Sequence, residues 1–204
     1  NGIPFYRWLA NTGWDESQAI KSARGIQGTK VHQAVVDLTD GKEVPMDTKY
    51  WVEDNNQTEE LDLEEYGCLI TFVDYFKTIK PKVIGRELTV FSEQYKIAGT
   101  LDRVDDLGNA VLITDYKTGQ NIWMEHKIQL SAYKHAYIET TGETRDVKLA
   151  IAQLGYKRNK RGWKVTEVDD CFDLFLAARE IWKNECATQK PLVKDYPVSL
   201  KLEK

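Results

Sequence analysis

Gly99-Thr100-Leu101-Asp102-Arg103-Val104-Asp105 runs through a turn at Asp106-Leu107-Gly108-Asn109 into Ala110-Val111-Leu112-Ile113-Thr114-Asp115-Tyr116-Lys117-Thr118-Gly119. Runs rich in Val, Ile, Leu and Thr on both sides of a Gly-Asn turn predict two adjacent antiparallel strands. Residues two apart share a strand face, so Asp115 and Lys117 project to one side, with Ile113 before them. An apolar strand thus ends by setting a carboxylate beside an ammonium, which is costly if both are buried without need. Alone, such a pair reads as an ordinary ion pair at a sheet edge. Asp102, on the neighbouring strand, changes that, because it can stand beside Asp115. Two carboxylates in one site repel unless a cation lies between them or one takes a proton. Oxygen donors of this kind suit Mg²⁺ or Mn²⁺. Glu87, on the preceding strand, can bring a third carboxylate, whereas Asp105 and Asp106 lie nearer the turn and are expected to be solvated.

Outward from this pair, strands are expected over 83–92, 95–105 and 110–117. Upstream, Ala19, Ile20, Ala23, Ile26, Val31, Ala34, Val35 and Leu38 recur mostly at three- and four-residue steps and predict a helix over 15–39. Gly25 and Gly28 predict a kink in it, or a division into two helices. Residues 40–60 read as an acidic loop, and 61–79 as a helix ended by Pro81. Downstream, a helix is expected over 123–140, strands over 146–156 and 163–168 around a basic turn, and a last helix over roughly 169–187. The order α-α-β-β-β-α-β-β-α implies an α/β or α+β domain around one mostly antiparallel sheet.

At 204 residues and 23.5 kDa, the chain has the length of one domain. With 42% hydrophobic and 29% charged residues it has the composition of a globular protein, which excludes disordered and collagen-like classes. No apolar run approaches the ~20 residues of a membrane helix. The opening Asn1-Gly2-Ile3-Pro4 has neither an initiator Met nor a signal-peptide pattern, so a trimmed fragment is expected. Cys68, Cys171 and Cys186 form no CxxC pair and are expected to be reduced thiols of a cytosolic-type protein. The net charge is −4, yet residues 43–65 hold nine acids against Lys49 alone; subtracting that −8 leaves +4 for the rest of the chain. Lys157, Arg158, Lys160, Arg161 and Lys164 follow one another without an intervening acid. Such a run is a solvated turn or a phosphate-tracking patch.

Four blocks in order resemble the motifs of the PD-(D/E)XK nuclease superfamily, in particular its RecB-type and phage recombination exonuclease branch. They are Gly28-Thr29-Lys30-Val31-His32, Gly99-Thr100-Leu101-Asp102, Asp115-Tyr116-Lys117-Thr118-Gly119 and Gln129-Leu130-Ser131-Ala132-Tyr133, and they span about half of the chain. The resemblance implies a restriction-endonuclease-like core, α-β-β-β-α-β, with a central mixed sheet flanked by helices. It implies a single nuclease domain over 1–204, with 41–60 as an acidic loop insertion. It assigns His32, Asp102 and Asp115 as metal ligands, the carbonyl of Tyr116 as a backbone ligand and Lys117 as the catalytic lysine. Glu87 resembles the upstream acid of the phage enzymes, with Glu93 as the alternative. Gln129 and Tyr133 resemble the QxxxY motif; four residues apart, they share a helix face, which the resemblance turns toward the site or the DNA strand near it.

The activity implied is that of a Mg²⁺- or Mn²⁺-dependent deoxyribonuclease, a DNA exonuclease of phage or bacterial recombination and repair. DNA is the implied partner, held through its phosphates without sequence preference, with Lys157, Arg158, Lys160 and Arg161 as further expected contacts. A recombination partner protein, a homo-oligomer and a cytoplasmic location are the remaining expectations. The alternatives are a structure-specific, resolvase-like endonuclease and a catalytically silent DNA-binding or assembly module. Three scattered cysteines cannot supply the iron–sulfur cluster of some relatives, and no helicase motif is present. His126 and His135 are expected to be structural. Trp123 and Tyr116 are expected in the hydrophobic core, with stacking on unpaired bases as the lesser reading.

Overall fold

A computed structural model describes residues 10–186 and residue 188; residues 1–4, where the trimmed start is expected, and residue 187, the expected end of the last helix, lie outside them. Five strands form the central sheet: β3 (Val83–Ser92), β4 (Ile97–Asp106), β5 (Ala110–Lys117), β6 (Asp146–Leu154) and β7 (Trp163–Val168), in that spatial order. Only β5 and β6 are parallel; the other neighbours are antiparallel. A parallel neighbour needs a long crossover, and the helix α3 (Met124–Thr141) supplies it.

Two apolar layers sandwich the sheet. On one side α1 (Trp14–Thr39) and α2 (Leu63–Ile79) pack Val31, Ala34, Leu69 and Phe72 with Tyr116, Ala152 and Leu154 of the strands. On the other, Leu130, Ala136 and Tyr137 of α3 meet Val104, Ile113, Leu149 and Ile151. The last helix, α4 (Phe172–Glu185), packs on α3. The expected mixed sheet flanked by helices is the architecture observed.

Two readings are corrected. The segment Trp14–Thr39 is one helix and not two, and neither Gly25 nor Gly28 within it has positive φ. Glycine inside a helix costs roughly 1 kcal/mol relative to Ala, and burial of Val31, Ala34 and Val35 offsets that cost. The segment read as an acidic loop contains a hairpin, β1 (Lys49–Val52) against β2 (Gln57–Glu60), joined through Glu53–Asn55 and a left-handed Asn56. In its strands the buried side chains are Tyr50 and Val52, too short an alternation to stand out against nine acids.

Buried Lys30 fixes α1 within the fold. Its ammonium lies 2.8 Å from Glu65 and donates to the carbonyl of Glu60 at 2.9 Å, joining α1 to α2 and β2. Glu65 also closes a capping box with Asp62 at the start of α2. His32, two residues beyond Lys30, is thereby held toward the sheet. No helix among the described residues is long and apolar enough to cross a membrane.

Candidate metal centre

The β4–β5 ladder ends at the pair Arg103↔Thr114. Asp102 and Asp115 are the next residues on each strand, where the backbones part. Asp102 uses the opening: its Oδ2 accepts the N–H of Tyr116 at 2.6 Å, while its Oδ1 lies 3.4 Å from His32 Nδ1. His32 Nε2 lies 3.1 Å from the carbonyl oxygen of Tyr116. The backbone of Tyr116 thus touches Asp102 through its N–H and His32 through its C=O.

Glu87 completes this group from β3. The pairs Arg86↔Arg103 and Leu88↔Leu101 bracket it, so Glu87 stands opposite Asp102. Its φ of 42° lies in the left-handed region that a residue with a side chain rarely adopts. Strain of this kind is characteristic of functional sites. Here it accompanies a side chain brought into a cluster: His32, Glu87 and Asp102 each offer a donor atom, and these lie within 4.8 Å of one another. Glu93, the alternative acid, is in the β3–β4 turn, paired with Lys96 at 3.0 Å.

Asp115 stands beside the triad, bound to Lys117. The ammonium donates to Oδ1 at 2.9 Å and lies 2.8 Å from Oδ2, but Oδ2 has no hydrogen-bond partner. Burial pushes the Asp115 carboxyl up to about 6; Lys117 opposes the shift and Asp102 adds to it. Glu87 is raised by burial and by the charge of Asp102. For His32, burial is the largest influence and acts downward, yet the hydrogen bond and charge of Asp102, with the charge of Asp115, leave it raised overall. Carboxylates pushed toward protonation around a shared centre lack positive charge. Two carboxylates, an imidazole and a carbonyl, with the Asp115 carboxylate beside them, make a donor set that fits a hard divalent cation.

A groove of about 950 Å³ opens onto this centre, lined by α1 from Arg24 to Asp37 and by Lys117–Asn121, Trp123 and His126. Trp123 is 51% exposed there, not in the core as expected; it precedes the first turn of α3, outside the buried stripe of that helix. Tyr116 is buried, as expected. His126, read as structural, also lines the groove, and burial and Lys117 lower its pKa. Arg24, Thr29 and Gln33 line it too and are absent from the expected site; their spacing along one stretch of α1 was the available signal.

The remaining expected residues are elsewhere. Gln129 donates to the hydroxyl of Tyr133 at 3.0 Å, and the Tyr133 ring lies over Gly99, where a Cβ would fall 2.3 Å from a ring atom. Neither is among the described residues lining the groove. The basic turn divides. Lys157 binds Glu64 at 3.0 Å and Arg158 binds Asn121 at 2.8 Å, at the groove's edge. Lys160 and Arg161 instead border a hollow with Asp74 and Thr78 of α2. Asp105, expected to be solvated, is 2% exposed, because the alternation that turns Asp102 to the cluster turns Arg103 and Asp105 under α2. Asp106 bridges Lys82 and Arg145.

A family model of the PD-(D/E)XK nuclease superfamily matches residues 5–195. Among solved structures, the chain is similar to a "putative exonuclease" from Eubacterium rectale, with 12% identity and a TM-score of 0.46. That likeness covers 78% of this chain and 64% of the other, so the chain spans less than two thirds of that relative. No curated protein matches.

Proposed function

The chain belongs to the PD-(D/E)XK nuclease superfamily, and from that premise we propose that it is a divalent-metal-dependent DNA exonuclease. The observation that carries the reading is the convergence of His32, Glu87 and Asp102 within 4.8 Å, beside an Asp115–Lys117 pair. His32, Asp102 and Asp115, with the Tyr116 carbonyl, would hold Mg²⁺ or Mn²⁺, and Glu87 would act as the further acid. When bound, the ion supplies charge neutralisation at the scissile phosphate and a water of lowered pKa.

The protein's own groups do the rest. The Asp115 carboxylate holds the Lys117 ammonium at the centre, where its N–H bonds can orient the attacking water and stabilise the negative charge that grows on the phosphate oxygens. Asp102 fixes the Tyr116 backbone through its N–H, which aims the carbonyl at the same centre. None of these groups reads a base, so cleavage without sequence preference is the expected behaviour.

The test uses end-labelled linear DNA and covalently closed circular DNA, each with Mg²⁺, Mn²⁺ or EDTA. Release of mononucleotides from linear DNA alone, abolished by EDTA, is the expected result. Nicking or linearisation of the circle would make the enzyme an endonuclease. Metal binding with no cleavage of either substrate would leave a silent module.

A further inference from the structure

The groove that opens onto the metal centre has two unlike walls. One is the face of α1 carrying Gly25, Gly28 and His32; the other carries Lys117 and Trp123. Positions 25, 28 and 32 follow the three- and four-residue steps of one helix face. Neither glycine has positive φ, and among the described residues nothing lies within 4 Å of a Cβ built on either. Backbone conformation therefore does not require glycine there, and no side chain of the described residues does. At Gly99, Gly155 and Gly162, in contrast, an added Cβ would fall 2.3 to 2.7 Å from a neighbour. Gly25 and Gly28 lower the helix surface where it borders the groove, and the effect is clearance for a ligand against the helix backbone.

The stretch of lining beyond Lys117 carries an aromatic ring. Trp123 presents an indole that is 51% exposed, immediately before α3 and six residues beyond Lys117. An exposed indole can stack on a base only when that base has a free face. Inside a duplex both faces are covered by neighbouring base pairs and a blunt end exposes only one face of its last pair, whereas each base of a single strand has its faces available. The volume of about 950 Å³ is that of a site for a drug-sized molecule, which suits a short run of nucleotides.

We infer that the groove takes an unpaired polynucleotide strand, its sugar–phosphate backbone lying against Gly25 and Gly28 of α1 and one base stacked on Trp123. The inference rests on the nuclease reading and narrows it: the substrate presented to the metal centre is a single strand or a frayed end, so blunt duplex must open before it is cut.

The experiment compares binding of a labelled oligothymidylate and a blunt hairpin duplex, in Ca²⁺ to suppress turnover, for wild type, Trp123→Ala, Trp123→Phe and Gly28→Ala. Trp123→Ala should weaken single-strand binding by roughly tenfold or more, the loss of one base–aromatic stack, with duplex binding unchanged. Trp123→Phe should restore most of it. Gly28→Ala should raise the Tm, because alanine favours the helix, and still weaken single-strand binding. Equal losses for both substrates in Trp123→Ala, or a stabilised Gly28→Ala with wild-type single-strand affinity, would overturn the inference. Cleavage measured in parallel separates the two readings. A wild type that cuts neither substrate with Mg²⁺ or Mn²⁺ removes the nuclease reading and this inference with it. One that cuts both, with single-strand affinity insensitive to position 123, removes only the inference.

Discussion

Asp102 and Arg103 are neighbours in β4, yet they belong to two clusters with opposite electrostatic balance. Arg103 is 1% exposed and nearly fully satisfied: it donates to Asp105 at 3.0 Å, to the Tyr116 hydroxyl at 2.7 Å, to the Tyr75 hydroxyl at 2.5 Å and to Thr114 at 3.3 Å. Its guanidinium also lies over the rings of Tyr75 and Tyr116. One buried cation meets one buried acid. Asp102 instead shares its surroundings with Glu87 and Asp115 against one lysine and one histidine. Both clusters grip Tyr116, the first by its hydroxyl and the second by its backbone. A buried network of this kind, with one Asp105 oxygen left without a hydrogen-bond partner, holds a fold together, whereas several carboxylates gathered with too little positive charge mark a place where a ligand completes the balance.

The contrast breaks first at Lys117. Lys117→Ala should reduce cleavage by roughly 10²–10³-fold, the scale of removing a group that stabilises transition-state charge. The unfolding temperature should fall by less than in Arg103→Met, because Lys117 is part-exposed and Asp115 can take a proton once its partner is gone. Near-normal turnover in a folded variant would remove the lysine from the mechanism.

Arg103→Met should show the reverse. It leaves Asp105 without its partner, together with the tyrosine hydroxyls, and breaking a buried pair on one side typically costs about 3–5 kcal/mol. Chemical denaturation reads this directly; a variant as stable as the wild type would show that the knot under α2 contributes no net stability.

The pH dependence of stability sharpens the comparison, because Asp115 is raised to about 6 in the fold, mainly by burial. Below its ordinary carboxylate value, Asp115 is protonated whether the chain is folded or not. Between that value and about 6, the folded state binds more of this proton than the unfolded state, so the contribution to stability falls as pH rises. Above about 6 the penalty is constant. In metal-free protein, Asp115→Asn should therefore gain stability over wild type at about pH 7–8 compared with about pH 4, while losing activity. A stability difference independent of pH would mean that Asp115 titrates normally.

What is legible in the sequence follows from periodicity and local chemistry. The strands expected over 83–92, 110–117 and 163–168 have the bounds observed, because alternating β-branched runs between turn residues leave little freedom. Glu87 is readable as a nearby acid, but not its left-handed backbone, which depends on the pairing of β3 with β4. The groove is hidden for the same reason. Gly25 and Gly28 look like helix breakers, since a sequence shows their cost and not the open space beside them. Asp105 misleads because closeness to a turn argues for solvent, whereas the strand's alternation places it beneath α2 beside Arg103.

The smallest expected effect concerns the basic turn, which the structure divides into two pairs of cations. Glu64 lies between Arg24, at 3.2 Å, and Lys157, at 3.0 Å, and Arg158 holds Asn121 at the groove's edge. One acid between two cations leaves a net positive charge beside the groove. Lys160 and Arg161 border the separate hollow on α2, with Arg161 over the Trp163 ring. If DNA lies in the groove, Lys157 and Arg158 can reach its phosphates. Each phosphate that is no longer neutralised should reduce the steepness of log K against log salt by about 0.7 for a single strand and about 0.9 for a duplex. Changing Lys157 and Arg158 to Ala should then flatten the salt dependence by about one to two such steps, whereas changing Lys160 and Arg161 should leave it near that of the wild type. Turnover at saturating DNA should be similar in both variants, since neither pair belongs to the His32–Glu87–Asp102 cluster. A salt titration of affinity in Ca²⁺ decides the matter: an equal flattening in both variants would place DNA across the outer surface of α2 as well, and no flattening in either would confine the backbone contacts to α1 and Lys117.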